Sequence, residues 1–448
     1  MVEMLRAGAA RVELPAEVGW PMMGYGARRG AAAGRHDTLW ARALSLESGV
    51  GGGLLIVECD LCLLGVAQCD AVRSRIAAST GLARDSICVG CIHTHSGPET
   101  GFAARALGRA IPAWETSLLD AIVAAGVAAH ASREPARLGV QLTTAAIGRN
   151  RRCEDAPIDE RVAVVRVDHA TGDVLAVFYL HGCHPTALGH DNLVYSADWP
   201  GVANDAIEQA FPGSLALFGL AAHGDVDPRT RGLQDLTLPD QSRGVGFDEV
   251  AELGREIGRA VIDCVSRIPA SADATITASS SFHELSVHGA AEGDRDEHLE
   301  SRRRAAMAAL GLPSEERLGP RELYRVEHER TAHLPRDEQR EALARVRLYL
   351  RDLQAPMFAA GETLAVEAQH LVLGDLELWA VPFEVTADLG RALAQRAESP
   401  LVLPLSIANG WLRYLPHPDH FERECAHHQY EVLNSVFPAD TAGRLLPI

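Results

Sequence analysis

A chain of 448 residues, 47% hydrophobic and 23% charged, has the balance of an ordinary globular protein, which excludes a disordered or fibrous chain. Its 60 acidic residues against 42 Lys and Arg give a formal net charge of −18, a field that repels phosphate backbones and anionic headgroups and excludes nucleic acid as a partner. No run of about 18 apolar residues occurs and the N-terminus lacks a signal-peptide core, so stable membrane anchoring is not expected and the expected location is cytoplasmic.

Through residue 270 short apolar runs alternate with longer amphipathic segments, the rhythm of an α/β fold. In chain order, strands are predicted over 41–46 and 54–59, a helix over 67–80, a strand over 86–91 and a helix over 114–130. Strands over 163–167 and 174–181, a helix over 199–209, a strand over 215–220 and a helix over 248–268 follow. From about 292 to 353 the chain turns rich in Arg and Glu with apolar residues at helical spacing, which predicts a helical insertion, a solvated hairpin packed on the core. Strand signals resume over 363–371 and 376–381. No repeat occurs, and the glycine-rich turn at 49–53 is the one short linker, so residues 1–448 are expected to form one compact unit. The nine cysteines include the pairs Cys59/Cys62 and Cys88/Cys91, but both pairs sit at strand ends without glycine knuckles, which favours buried free thiols.

The chemistry-bearing residues gather at strand ends. His93 and His95 follow the 86–91 strand two residues apart on an extended segment, so both can approach one metal or one substrate. The 174–181 strand delivers His181 and His184 in the same way, and open α/β sheets place their sites at such carboxyl ends. Imidazole donors favour zinc (Zn2+) over hard cations. An oxygen ligand is still needed. Glu384 follows the apolar 376–381 strand and is the best candidate, with the capping of a helix beginning near Asp388 as the other explanation of its place. The His-rich stretch 416–428 lacks a rigid mounting and is expected to form a polar loop at a pocket rim.

Taken together, residues 7–15, 23–25, His36–Asp37, 41–44, 93–98, Asn150–Arg151, the strand leading to His184, 224–226, 382–384, 409–414 and 430–431 run in an order that resembles the catalytic domain of the neutral/alkaline ceramidases. The resemblance implies a mixed-sheet α/β ceramidase-like domain. It implies a zinc ion held by His93, His184, Glu384 and Tyr414, with His95, Arg151 and Tyr430 beside a scissile amide. His181 is then a core or supporting histidine. Two departures stand out. The family carries a required serine where this chain has Asp227, and the family's C-terminal immunoglobulin-like domain is not expected here.

These departures lead to the expectation of an amide hydrolase acting on a small soluble N-acyl substrate through metal-activated water. In that scheme His95 and Tyr430 stabilise the oxyanion or shuttle the proton, Arg151 adds positive charge near the carbonyl oxygen, and Asp227 acts as base or substrate anchor. An acyltransferase, an esterase or lactam hydrolase on the same zinc site, and a non-catalytic zinc-binding protein stay open, as does a homo-oligomer.

Overall fold

The computed structural model describes residues 5–48, 52–106, 108–152, 156–231, 244–287, 295–318, 320–354, 363–397, 401–422 and 429–448. Most of the glycine-rich turn (49–51), the first residues of the expected insertion (292–294) and the end of the His-rich stretch (423–428) lie outside them.

An eight-stranded mixed sheet runs in the order Leu215–Leu220, Val174–His181, Arg161–His169, Glu134–Thr144, Arg6–Glu13, Trp40–Ser48, Gly52–Cys59, Ile87–Cys91. Its two outer pairs are parallel, Gly52–Cys59 with Ile87–Cys91 and Val174–His181 with Leu215–Leu220, and the inner pairs are antiparallel. Helix Val66–Thr80 connects the first parallel pair and helix Asp198–Ala210 the second, as crossover connections require.

The apolar runs are continuous instead of alternating because both faces of the sheet are covered. Leu55, Val57, Val89, Val164, Val177 and Phe218 pack into one buried cluster with helix residues such as Val72, Ile122, Trp199 and Leu253. Their neighbours Leu54, Ile56, Cys88, Val165, Phe178 and Leu217 belong to a second cluster. That cluster includes Ile276, Leu371, Leu378 and Leu403 from a four-stranded sheet ordered Ile276–Ser286, Thr363–Leu373, Leu376–Ala380, Val402–Leu405.

The large sheet curls until its edge strand Leu215–Leu220 approaches Ile87–Cys91. One segment ties both edges. Ser406 N donates to Leu220 O at 2.7 Å, and Asn409 N donates to Val89 O at 2.7 Å, while the Asn409 carboxamide oxygen accepts from Val89 N at 3.0 Å. Ile407 and Asn409 hold positive φ of 53° and 59° to do so, uncommon for a β-branched residue. The curl brings the carboxyl ends of the two parallel pairs to one place.

The expected insertion is three helices, Arg295–Ala309, Pro320–Thr331 and Arg336–Gln354, around a small core of Met307, Leu310, Leu323, Val346 and Leu350. It is more than a solvated hairpin, because Arg336–Gln354 also packs on the short helix Gln429–Leu433. The strands at Arg6–Glu13, Glu134–Thr144, Ile276–Ser286 and Val402–Leu405 were not predicted. The 248–268 helix ends earlier, at Val265. The seven described cysteines are buried and free, as expected.

Helices Asp198–Ala210 and Phe247–Val265 cross closely at Gly254, where an added Cβ would lie 2.5 Å from Val202 Cβ and 2.6 Å from the Trp199 carbonyl oxygen. Gly254→Ala is expected to lower stability by about 1–3 kcal/mol through overpacking. Gly443→Ala, which meets nothing within 4 Å, serves as the neutral control in urea unfolding.

Candidate metal centre and its surroundings

Three strand ends converge. His93 follows Ile87–Cys91, His184 follows Val174–His181, and His223 follows Leu215–Leu220. Each ring sets Nδ1 against a backbone carbonyl oxygen: His93 on Cys62 O at 2.7 Å, His184 on Val226 O at 3.0 Å and His223 on Ala221 O at 3.0 Å. Only a protonated Nδ1 can donate to a carbonyl, so each neutral ring is left with a bare lone pair on Nε2. All three Nε2 atoms face one oxygen, Glu384 Oε2, at 3.6 Å from His93, 3.2 Å from His184 and 3.9 Å from His223. The other carboxylate oxygen, Oε1, accepts from Trp411 Nε1 at 2.9 Å.

Three nitrogen lone pairs aimed at a carboxylate oxygen repel one another unless a cation lies among them. The donor atoms of His93, His184, His223 and Glu384 all fall within 4.8 Å of one another, and all four residues are buried. Imidazole and carboxylate donors at this spacing fit a zinc ion. Electrostatics point the same way. Burial would raise Glu384, but the His93 and His184 rings hold it well below the usual carboxylate range. Burial and the neighbouring His184 and His93 rings push His223 well below the usual imidazole range. Burial would also lower His93, yet the Cys62 sulfur and Glu384 hold it well above that range. His93 itself sits at φ 68°, strain held by its surroundings.

His95 stands beside this group with Nε2 3.2 Å from His93 Nε2. Burial, with the His93 and His184 rings, pushes it well below the usual imidazole range, and its buried Nδ1 has no hydrogen-bond partner among the described residues. The Tyr25 ring meets it edge-on at 4.6 Å, and Gly24 presses against it, since a Cβ there would come within 2.3 Å of His95 Cγ.

Arg151 organises the other side. Its Nε donates to Glu431 Oε1 at 2.9 Å, Nη1 to Asp227 Oδ1 at 3.2 Å, and Nη2 to Gly224 O at 2.7 Å and the Tyr414 hydroxyl at 3.2 Å. The guanidinium also faces the rings of Tyr414 and Tyr430 at 5.7 and 5.2 Å. Burial would raise Asp227, but Arg151 and Arg231 hold it below its ordinary value. Glu431 is pushed up to about 7 by burial, against the pull of Arg151.

The structure thus brings His93, His184 and Glu384 to one point, sets His95 against it, and joins Arg151, Asp227, Tyr414 and Tyr430 in an adjoining group. Tyr414 is the strand partner of Glu384. Glu384 does not cap a helix, because it lies in that short strand pair and Thr386 occupies the N-cap of Ala387–Arg396. His181 is a core histidine, with Nδ1 on Arg161 O at 3.1 Å and its ring against Trp199. The described part of the His-rich stretch is not all rim. His420 is buried, 2.7 Å from Asp388 Oδ2 and 2.8 Å from an Arg152 nitrogen, because a charged network already occupied that space. Asp225 anchors the same network, accepting from Arg152 Nε at 2.6 Å, Asn150 Nδ2 at 2.9 Å and Ala387 N at 2.7 Å. This explains why residues 150–152 and 224–226 belong together.

His223 and Glu431 were not singled out from sequence. The sequence does carry a signal for His223, which follows an apolar strand just as His93 and His184 do.

The fold and this centre define an α/β protein whose strand ends hold a buried histidine and glutamate group suited to a metal ion. Over 99% of its length it matches a solved ceramidase complexed with C2 at a TM-score of 0.69, with 20% identity and 74% of that chain covered. The neutral ceramidase of Pseudomonas aeruginosa matches over 99% of this chain and 75% of its own, at a TM-score of 0.66 and 19% identity. The chain belongs to the neutral/alkaline non-lysosomal ceramidase family, whose N-terminal model matches residues 15–312. Neutral ceramidases A and B of Dictyostelium discoideum are 29% identical over 243 residues and 27% over 242, each match taking 47% of this chain. The matches cover 34% and 33% of those relatives, so the shared stretch spans about a third of their length.

Proposed function

We propose that this protein hydrolyses the amide bond of a small N-acyl substrate at a zinc site. The observation that carries this is the convergence of three Nε2 lone pairs on Glu384 Oε2, in a chain of the ceramidase family. His93, His184 and Glu384 would hold the ion, with the Tyr414 hydroxyl close to Arg151. A zinc ion bound there supplies Lewis acidity and lowers the pKa of a water molecule towards neutrality.

The protein supplies the rest. His95, a neutral ring against the centre, accepts the proton of the attacking water and returns it to the departing nitrogen. The Tyr430 hydroxyl donates to the carbonyl oxygen as its charge grows. Arg151 has its donors turned to Glu431, Asp227, Gly224 and Tyr414. It therefore holds the two tyrosines in place and adds a nearby positive field, and direct contact with the carbonyl oxygen is not needed. Asp227, kept ionised by that ion pair, is a weak proton acceptor. Its role is to anchor Arg151 and to present Oδ2, buried and without a hydrogen-bond partner among the described residues, towards a donor group of the substrate.

Two measurements test this. Purified protein should carry about one zinc per chain and cleave members of a panel of N-acyl amines and N-acyl amino acids. Chelation should stop the cleavage and zinc restore it. A metal-free protein whose activity ignores chelators would overturn the proposal, and acyl transfer to added amines in preference to water would replace hydrolysis with the transferase. Asp227→Asn keeps an acceptor for Arg151 and should reduce kcat/KM only roughly tenfold, the worth of one charge-assisted hydrogen bond. A loss of about 10²–10⁴-fold would instead make Asp227 the base.

A further inference from the structure

We infer that His223 is a metal ligand, so that the centre is a shell of three imidazoles and one carboxylate in which Tyr414 is not required to hold the ion. This rests on the proposal that the centre binds a metal and adds to it which residues do so.

Three observations carry the inference. His223 is fully buried and its Nε2 has no hydrogen-bond partner among the described residues, an unfavourable arrangement that a ligand on that atom would relieve. Its tautomer is set by the same device as those of His93 and His184, a short Nδ1 bond to a backbone carbonyl oxygen, here two residues back at Ala221. Backbone hydrogen bonds of this kind orient metal-binding imidazoles and fix which nitrogen is free to coordinate. Finally, the ring lies 4.5 Å from that of His184 and 5.5 Å from that of His93, with Nε2 among the converging donor atoms.

Tyr414 stands differently. Its hydroxyl lies 3.2 Å from Arg151 Nη2, in the role of acceptor. A phenolate bound to the metal would neutralise one more positive charge. With His223 as the fourth donor, a zinc ion held there beside the Glu384 carboxylate would keep a net positive charge. Tyr414 would then keep its proton and accept from Arg151.

The position of His223 has a mechanical basis. Gly224, next in sequence, is packed so closely that a Cβ would lie 2.7 Å from the Glu384 carbonyl oxygen, and Gly224 N donates to Val385 O at 2.7 Å. The loop carrying His223 is thereby pinned to the strand carrying Glu384, which fixes the separation of the two donors.

The test uses the full chain and three variants, H223Q, Y414F and H184A. Each is stripped with a chelator, titrated with zinc against a competing chromophoric chelator, and loaded with cobalt for its visible absorption. The expected result is zinc affinity weakened on the order of 100-fold or more in H223Q and H184A, little changed in Y414F, with a cobalt spectrum altered in H223Q and retained in Y414F. Thermal unfolding in excess chelator separates misfolding from lost coordination. Wild type and H223Q should unfold alike when stripped, and zinc should stabilise wild type far more. Unchanged zinc affinity and cobalt spectrum in H223Q, with a loss in Y414F, would overturn the inference and leave the metal site as the family resemblance implies it. Wild type that binds neither metal would overturn the proposed function itself.

Discussion

Glu384→Gln protein should emerge folded, free of zinc and inactive to the background of the assay. Glutamine keeps the shape of the side chain and can still present an oxygen to Trp411 Nε1, which now bonds Glu384 Oε1 at 2.9 Å. What it removes is the one formal negative charge against which the three rings converge, at 3.2 to 3.9 Å. A neutral amide is a poor partner for a divalent cation in a buried site, where the ion's loss of water must be offset by its ligands. Metal analysis by mass spectrometry and kcat/KM on the best substrate measure the two effects together. Retained zinc with lost activity would move Glu384 from metal ligand to proton carrier.

Arg151→Met is expected to be the most destabilising change near the site. The arginine is buried and bonded to two carboxylates, a carbonyl oxygen and a hydroxyl. Removing it strands the charge of Asp227 and Glu431, and breaking a buried ion pair from one side costs about 3–5 kcal/mol. The sign of the pH dependence follows from the same groups. In wild type Asp227 is depressed, so its stabilising contribution is present above the ordinary carboxylate value and is lost as pH falls through the depressed one. Glu431 behaves oppositely. Its value of about 7 means that stability declines as pH rises from the ordinary value of 4.5 through about 7. Without Arg151, burial raises both groups, so the penalty should be greatest at neutral pH and shrink on acidification as the carboxyls take up protons. Urea unfolding of wild type and Arg151→Met at about pH 7 and about pH 5 measures this. The double variant Arg151→Met with Asp227→Asn should recover part of the loss, and additive losses would show that the pair does not interact.

Much of this architecture was legible in the chain because burial on both sides leaves an unmistakable mark. Leu54 to Val57 and Leu215 to Leu220 are apolar at every position or nearly so, and each proved to lie in a strand with both faces covered, the second of them at the sheet's edge. Ile276–Ser286 was not legible, since its Ser-rich run has mostly partly exposed or exposed side chains and gains its place through pairing with Thr363–Leu373. His93, His184 and Glu384 could be found because each ends an apolar strand. Their meeting could not be read from spacing, because it depends on the curl of the sheet and on the 406–409 segment that ties its edges. Arg151 illustrates the same limit: sequence can place a guanidinium near the chemistry, but only geometry shows its donors committed to Glu431, Asp227, Gly224 and Tyr414.

The contact between helix Arg336–Gln354 and the short helix Gln429–Leu433 has a consequence for how this protein can change. The histidine and glutamate half of the candidate site is rooted in the ends of a sheet whose strands are buried on both sides. The arginine and tyrosine half is rooted differently. Tyr430 and Glu431 ride on a helix backed by the insertion, and Arg413 bridges the two, bonding Gln354 on one side and Asn434 on the other. Mutations scattered through the insertion can therefore tilt Tyr430 by fractions of an ångström without touching the histidine and glutamate group. Under the proposed function, what is cleaved and what is chosen would then rest on separate parts of the molecule, and selection for a new substrate would have a remote handle on which to act.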